Sequence, residues 1–184
     1  TSRQHTLLEV FRHHNSRMEK LIGKQYAKST YTKYKTSLMH TENFIQWKYK
    51  VSDVALADVS YRFITEMDYY LRSEKNIENN TVVKYLTHLR RVVRVAVSSE
   101  WMDRDPFLNF KMTTKEVDRE FLSEEEIELL MSNDLSNQRL EQVRDVFAFC
   151  CFTGLAFIDV KKLTSINVAK GIDGESWIYT KRHK

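Results

Sequence analysis

The chain has little of what usually cross-links or interrupts a fold: two cysteines, one proline and four glycines in 184 residues. The two cysteines, Cys150 and Cys151, are adjacent inside an apolar run, which is typical of packed thiols in a reducing cytoplasm and argues against a disulfide framework or a metal site. That run, Val146–Ile158, is too short to span a bilayer, and no signal peptide is recognisable. The first residue is Thr1 rather than a methionine, as expected for an excised or trimmed piece of a longer chain. A cytoplasmic protein is therefore expected.

Positive and negative charges are unevenly distributed along the chain. Residues 1–110 carry 18 Lys and Arg against 12 Asp and Glu, residues 111–160 carry 5 against 11, and residues 161–184 carry 6 against 2. A basic first half, an acidic middle and a basic end favour a polyanionic partner that contacts the two ends. The hydrophobic content of 42% is sufficient for a packed core, in one domain or two small ones.

Apolar residues recur at helical spacing in four segments of the first half. The predicted helices run from Thr6 to Ile22, from a cap at Ser29 or Thr30 to Tyr49, from a cap at Asp58 or Ser60 to Arg72, and from Thr81 to Ser98. The side chains that the second helix is expected to turn inward are Tyr34, Leu38, Ile45 and Trp47.

The start of the second helix is a candidate phosphate site. Residues 24–35 hold four lysines, three tyrosines and no acidic residue, and lysines with hydroxyl groups at a helix N-terminus suit a nucleic-acid phosphate. The alternative, equally open, is a solvated helix start whose tyrosines pack inward. The candidate residues are Lys28, Thr30, Lys33 and Lys35.

The fourth helix separates its apolar and basic residues clearly. Its apolar stripe consists of Val82, Leu86, Leu89, Val93 and Ala96. No acidic residue occurs between Lys84 and Ser99, which favours a helix that lies against a nucleic-acid groove over a face that is only solvated. Long basic side chains in such a position can contact phosphates and read base edges. The residues opposite the apolar stripe are Lys84, Thr87, His88, Arg91 and Arg94.

A boundary follows the fourth helix. Asp105-Pro106 stops the helical pattern, because the residue before a proline disfavours helical angles. The polar segment Lys111–Glu120 has no apolar periodicity and is predicted as an extended linker. The expected organisation is a helical domain at residues 1–108, a linker at 109–120 and a second unit at 121–184.

The second unit is predicted to begin with a capping box formed by Ser123 and Glu126. The apolar run is predicted as a buried helix that ends at Gly154, followed by another helix over Ala156–Leu163. The alternative to a functional reading of this helix–turn–helix is ordinary core packing. Two short segments rich in β-branched and aromatic residues then predict a hairpin, formed by Ser165–Ala169 and Ser176–Thr180.

Taken in this order, the motifs resemble the tyrosine recombinases, the phage-integrase family, over nearly the whole chain. The basic helical unit and polar linker resemble the family's SAM-like core-binding domain, and Arg119–Glu126 resembles the opening of its catalytic domain. Cys151–Val160 is similar to the family's first box, a Thr-Gly-Leu-Arg turn followed by an acidic residue, and Trp177–Lys184 is similar to the hairpin that presents its catalytic lysine. The fold implied is mainly α: a SAM-like four-helix domain, then the start of an α+β catalytic domain with helices and a short β-hairpin.

The resemblance implies an enzyme that cuts and rejoins double-stranded DNA through a 3′-phosphotyrosyl intermediate, without a metal or other cofactor. Cations stabilise the transition state, and a lysine protonates the leaving 5′-oxygen. Lys184 aligns with that lysine, and Asp159 aligns with the family's acidic position, in a structural role. Ala156 stands where the family has its first catalytic arginine, a variant typical of integrases from mobile elements. For the full-length protein, a homotetramer on DNA is implied.

In the family, the His-x-x-Arg motif and the nucleophilic tyrosine follow the hairpin that presents the lysine, so the resemblance places them after Lys184. The chain is therefore expected to bind DNA without cleaving it, as a fragment of a site-specific recombinase. Two alternatives stay open. One is a non-catalytic DNA-binding regulator derived from an integrase, which Ala156 favours; the other is a helical protein-interaction module with an incidental basic stripe.

Overall fold

A computed structural model of the chain describes residues 5–181, and the chain divides into two compact units between Val117 and Asp118. Unit 1 contains α1 (Leu7–Glu19), α2 (Lys28–Tyr49), α3 (Tyr61–Ser73) and α4 (Asn79–Ser98), with a short 3-10 turn at Leu56–Asp58. Unit 2 contains α5 (Glu124–Ser132), α6 (Gln138–Thr153), α7 (Phe157–Val160), a 3-10 turn at Ser165–Asn167, and the strands β1 (Val168–Lys170) and β2 (Ser176–Ile178). The described residues are therefore mainly helical with one small antiparallel sheet, which confirms the predicted fold class.

The core of unit 1 is built on the apolar stripe of α4. All five predicted members of this stripe are buried completely, because each lies about one helical turn from the next and faces the other helices. The cap predicted for α3 is also present, since Ser60 Oγ accepts a hydrogen bond from the Phe63 backbone N–H at 3.4 Å. The helical spacing of the apolar residues thus determines which face of α4 is buried and leaves its opposite face exposed to solvent.

Aromatic side chains fill the space between α2 and α3. Phe44 is fully buried, and its ring centroid lies 5.1 Å from that of Phe63 and 5.5 Å from that of Tyr70. The prediction that Trp47 faces inward is wrong, because this residue is 38% exposed, although its ring lies 4.9 Å from that of the buried Tyr70. Trp47 lies in the last turn of α2, where the helix ends at Lys50 in the left-handed conformation.

The start of α2 differs from the predicted cap at Ser29 or Thr30. The helix begins at Lys28 after an extended Ala27, and no side chain caps it. The preceding connection is closed by a hydrogen bond from the Gly23 N–H to the Tyr26 carbonyl at 2.9 Å, with Gly23 at a φ of +81°. This turn directs the chain into the helix before either hydroxyl residue is reached. Both hydroxyls therefore lie within the first turn.

Residues 110–123, which include the segment predicted as a linker, contain no helix or strand. The first part of this segment is held against the beginning of α4. Asn79 Nδ2 donates to the Thr113 carbonyl at 3.0 Å. The Asn80 side chain donates to the Lys115 carbonyl and accepts from the Lys115 N–H, both at 2.8 Å. We call residues 111–117 the docked linker, because side-chain amides of α4 pair with its backbone as a strand would.

Unit 2 begins with the predicted capping box. Glu126 N–H donates to Ser123 Oγ at 3.2 Å, and Ser123 N–H donates to Glu126 Oε2 at 2.8 Å. The predicted end of α6 is also confirmed, because Gly154 adopts a φ of +65° and its N–H donates to the Cys150 carbonyl at 2.9 Å. A side chain at that position would be strained in the left-handed conformation.

The prediction that α6 is buried is wrong. Ala148 is its only buried residue, and Phe147, Phe149 and Phe152 are 43%, 37% and 64% exposed. Within unit 2 only α5 and α7 pack closely against this helix, and two helices cannot cover an apolar surface on every side. The cysteines follow the same pattern, since both are free thiols and Cys151 is exposed rather than packed.

The elements after α6 are shorter than predicted. The helix expected over Ala156–Leu163 spans only α7, and the hairpin strands have three residues each. The hairpin itself is confirmed as antiparallel, with Ala169 opposite Trp177. The Trp177 indole N–H closes its loop by donating to the Asp173 carboxylate at 3.0 Å. Throughout residues 5–181, no helix is long and apolar enough to cross a membrane.

Candidate nucleic-acid interface

A groove of about 750 Å³ lies between the first turns of α2, the exposed side of α4 and the docked linker, which contributes Met112. We call it the α2–α4 groove. It forms because the apolar stripe of α4 faces the core and turns the basic side of the helix outward. Residues that line it are Thr30, Tyr34, Thr87, His88, Arg90, Arg91 and Arg94. The structure thus brings five of the nine predicted DNA-binding residues to one place.

Arg91 is the most available cation of the groove. Its side chain is exposed, and it forms neither an ion pair nor a side-chain hydrogen bond within the described residues. Its positive charge acts on the neighbouring Tyr34, where burial raises the pKa of the phenol and Arg91 opposes that rise. Lys84, on the same side of α4, is likewise exposed and unpaired within residues 5–181. Both positions match the prediction that this side of the helix faces solvent.

Elsewhere in unit 1, several cations are neutralised by carboxylates. Arg12 pairs with Glu42 at 2.6 Å. Lys48 and Arg62 both contact Glu66, at 3.2 and 3.0 Å. An exposed ion pair contributes little to stability, about 0–1 kcal/mol, but it does cancel charge. These paired cations are therefore less available to a polyanion than Arg91 and Lys84.

Arg94 lines the groove but is partly neutralised. Its Nε lies 3.3 Å from Asp105 Oδ2, and the other oxygen of that carboxylate accepts the Phe107 N–H at 2.8 Å. The carboxylate is thus fixed by the backbone turn that follows α4. For Arg94 to contact a phosphate, it must exchange this partner. Among the predicted cations of α4, Arg94 is consequently weaker than Arg91.

His88 forms a wall of the groove rather than a free cationic arm. Its Nδ1 lies 2.7 Å from Ser37 Oγ, and its ring stacks on Tyr34 with the centroids 4.1 Å apart. Burial lowers the pKa of His88, and the charges of Lys33 and His14 lower it further. The ring is half-buried, so its contribution at neutral pH is shape and hydrogen bonding rather than charge.

Thr87 also has a structural contact. Its hydroxyl donates to the Val83 carbonyl at 2.7 Å, and its oxygen lies 3.7 Å from Met112 Sδ in the docked linker. The hydrogen bond to Val83 lies within α4, and the contact with Met112 connects α4 to the docked linker. Thr87 is exposed, and its oxygen can still accept a hydrogen bond.

Of the four predicted DNA-binding residues of α2, one lines the groove and three do not. Thr30 lines the groove, whereas Lys28, Lys33 and Lys35 are exposed beside it. The Nζ of Lys35 lies 5.7 Å from the centre of the Tyr31 ring, a cation–π distance. The first turn of α2 holds no acidic residue and no side-chain cap, so its backbone N–H groups and Lys28 present positive charge together.

Sequence reasoning missed two contributors. Arg90 lines the groove, and its buried Nε has no hydrogen-bond partner in the described part of the chain. His14 of α1 stacks on Tyr34 with the ring centroids 5.1 Å apart. Periodicity alone gave no signal for His14, because it reports which side of a helix is apolar and not which neighbouring helix the polar side approaches.

Two of the residues that the family resemblance singled out lie at α7 of unit 2. Asp159 is 3% exposed in α7, and Ala156 is exposed as the residue that precedes that helix. Lys184, the candidate general acid, lies outside the described residues. Within residues 5–181, no group of histidine, cysteine or acidic side chains could hold a metal ion.

A helical domain that exposes basic side chains without ion pairs along one helix, as Lys84 and Arg91 of α4 are within residues 5–181, is typical of small nucleic-acid-binding domains. A family model described as the phage integrase SAM-like domain matches residues 6–112, more than half of the chain. The chain belongs to this family, that of the phage integrases or tyrosine recombinases, and a DNA-binding role related to recombination is supported. The match ends before the predicted catalytic motifs. Comparisons with curated proteins and with solved structures found no match.

Proposed function

We propose that unit 1 binds duplex DNA through the α2–α4 groove and the lysines beside it, as the core-binding part of a tyrosine-type site-specific recombinase. The observation that carries this proposal is the contrast in charge pairing. Arg91 and Lys84 have no ion pair in the part of the chain that the structure describes, whereas Arg12 and Arg62 are held by carboxylates. Unpaired cations release the counterions of DNA when they contact phosphates, and this release drives binding.

The dimensions of α4 suit the major groove of B-DNA. A helix of 20 residues is about 30 Å long, and the major groove, about 12 Å wide, admits an α-helix. Arg91 and Arg94 lie nearly one turn apart and face the same strand of the duplex in this arrangement. Arginine there recognises guanine edges, while Lys28 and Lys33 at the start of α2 neutralise phosphates.

The chemistry we propose for the whole recombinase is cleavage and rejoining through a 3′-phosphotyrosyl intermediate, without a cofactor. Lys184 would protonate the leaving 5′-oxygen, a general-acid role that needs an ionisable group beside the scissile phosphate. The burial of Asp159 supports a structural role rather than proton transfer. Strand exchange between two duplexes would require four protomers, so we propose a homotetramer on DNA.

A second function has one observation in its favour. Ala156 is exposed before α7, and its methyl group supplies neither charge nor a hydrogen bond where the family has an arginine. A protein that has lost the arginine could keep DNA binding by unit 1 and act as a non-catalytic regulator. It would bind the same duplex with the same salt dependence but would form no covalent adduct.

Two measurements separate these functions. Duplex affinity at several salt concentrations tests DNA binding, since binding without salt dependence would leave only a protein-interaction module. Cleavage is then tested with a nicked duplex that traps the covalent intermediate, using the protein as its complete gene encodes it. A protein–DNA adduct that survives denaturing electrophoresis supports the recombinase. Its absence, in a protein that binds the same duplex with a clear salt slope, supports the regulator.

A further inference from the structure

A second cavity, of about 250 Å³, lies where α1 and the α1–α2 connection approach α4. We call it the α1 cavity. Its polar lining comes from His13, His14 and Arg17 of α1, from Gln25 of the connection and from Arg91 of α4. None of the first four was singled out by the charge pattern of the sequence. The remaining lining residues are apolar or aromatic, and no acidic side chain lines the cavity.

Arg17 forms no ion pair within the described residues, although another arginine of the same helix does. Arg12 lies 2.6 Å from Glu42, whereas Arg17 is exposed and has no ion pair. Glu19, the nearest acidic residue along the chain, forms no ion pair with Arg17 in the described structure, and its carboxylate raises the pKa of the Tyr31 phenol. The chain thus leaves one of two similar arginines free, and the free one lines the cavity.

The pKa of His14 is lowered by burial and in part by the positive charges around the α1 cavity. Burial lowers the pKa of His14, the hydrogen bond that its ring makes to Asn15 Oδ1 raises it, and the neighbouring charges of Arg91, Arg17 and His13 lower it further. Such crowding of like charges is unfavourable in the free protein. It becomes favourable when an anion occupies the space between them.

The α1 cavity and the α2–α4 groove share two lining residues. Arg91 and Val95, one turn apart on α4, line both of them, so a polyanion that contacts Arg91 in the groove lies next to the cavity. The guanidinium groups of Arg17 and Arg91, from different helices, both line the cavity, so both can contact one backbone phosphate that enters it. A small free anion would lack this connection to the groove.

We propose that the α1 cavity is a second backbone-phosphate site, in which Arg17 and Arg91 bind the phosphate that follows the segment held in the α2–α4 groove. This inference rests on the proposed DNA-binding function and adds a third helix to the interface. It assigns to Arg17 a direct phosphate contact, and it makes Arg91 the residue shared by the two sites.

The test compares the variants Arg17→Gln and Arg12→Gln of the whole 184-residue chain. The probe is a fluorescent duplex of mixed sequence, roughly 30 base pairs or three helical turns long. Each variant removes one positive charge from α1, but Arg12→Gln takes it from an ion pair with Glu42 and Arg17→Gln takes it from the α1 cavity. The expected result is that Arg17→Gln flattens the salt slope by about 0.9, which weakens binding roughly eightfold at 0.1 M salt. Arg12→Gln should retain the original slope, and so should Arg17→Lys.

Three outcomes would overturn or confine the proposal. If Arg17→Gln keeps the original slope while Arg91→Gln loses about one unit, the α1 cavity is not a phosphate site and the groove alone binds DNA. If both α1 variants lose the same slope, the charge of α1 acts at a distance and no site exists. If the unaltered chain shows no salt slope, the proposed function itself fails. Thermal unfolding of every variant identifies any loss that comes from misfolding.

Discussion

Replacing Lys84 and Arg91 together by glutamine should remove most of the affinity for DNA without destabilising the fold. Each side chain is exposed and unpaired in the described structure, so the cost to the free energy of unfolding should stay within about 0.5 kcal/mol. Each phosphate contact contributes about 0.9 to the salt slope, so the pair contributes about 1.8. At 0.1 M salt this difference corresponds to roughly 60-fold weaker binding.

The matched control is the double variant Lys48→Gln with Arg62→Gln. It removes the same two positive charges, but from residues that both contact Glu66, at 3.2 and 3.0 Å. The salt slope should be unchanged, because these charges are already cancelled by a carboxylate. Fluorescence anisotropy over a range of salt concentrations measures both slopes, and circular dichroism measures both melting temperatures.

Two results would refute the reasoning. Equal loss of affinity in the two double variants would mean that net charge, and not the side of α4, attracts DNA. A fall of several degrees in the melting temperature of the Lys84 and Arg91 variant would mean that these side chains support the fold. About 1 kcal/mol shifts the melting temperature of a domain of this size by roughly 4–8 °C.

Three further predictions concern the fold. Phe44→Ala should lower the free energy of unfolding by about 3–5 kcal/mol in chemical denaturation, because Phe44 is fully buried. Phe152→Ala should change it little, because Phe152 is 64% exposed. Equal losses in the two variants would contradict the described burial. Burial lowers the pKa values of His14 and His88 from their usual 6.5, so on acidification the unfolded chain takes up protons before the folded chain does. The free energy of unfolding should therefore fall as the pH drops below 6.5 and through the lowered pKa values. A melting temperature that stays unchanged or rises over this pH range would contradict this direction. Asn80→Ala should release the docked linker, which hydrogen exchange would detect as faster exchange of its amides; unchanged protection would show that the linker is held by other contacts.

The helices of unit 1 could be predicted because each is a local pattern with a local stop. The stripe on α4 repeats at helical spacing and is buried as expected, and Ser60 caps α3 by a hydrogen bond within one turn. Gly154 ends α6 for an equally local reason, the low cost of a positive φ at glycine. Such signals require no knowledge of which helix packs against which.

What could not be predicted depends on contacts between distant segments. The burial of α6 was expected from its composition, but burial requires partners, and Phe152 has few within unit 2. The half-buried state of His88 comes from Tyr34 and Ser37 on another helix. Arg17 joins the candidate site only because α1 approaches α4, an arrangement that no spacing within α1 indicates.

The central claim is that cations left unpaired by the fold are the ones that hold DNA. The most direct measurement is the affinity of the unaltered chain for a mixed-sequence duplex as a function of salt concentration. Contacts from Lys28, Lys33, Lys84 and Arg91 neutralise four phosphates, so a plot of the logarithm of the binding constant against that of the salt concentration should have a slope of about −3.6 or steeper. A slope near zero, or no binding at low salt, would contradict the account.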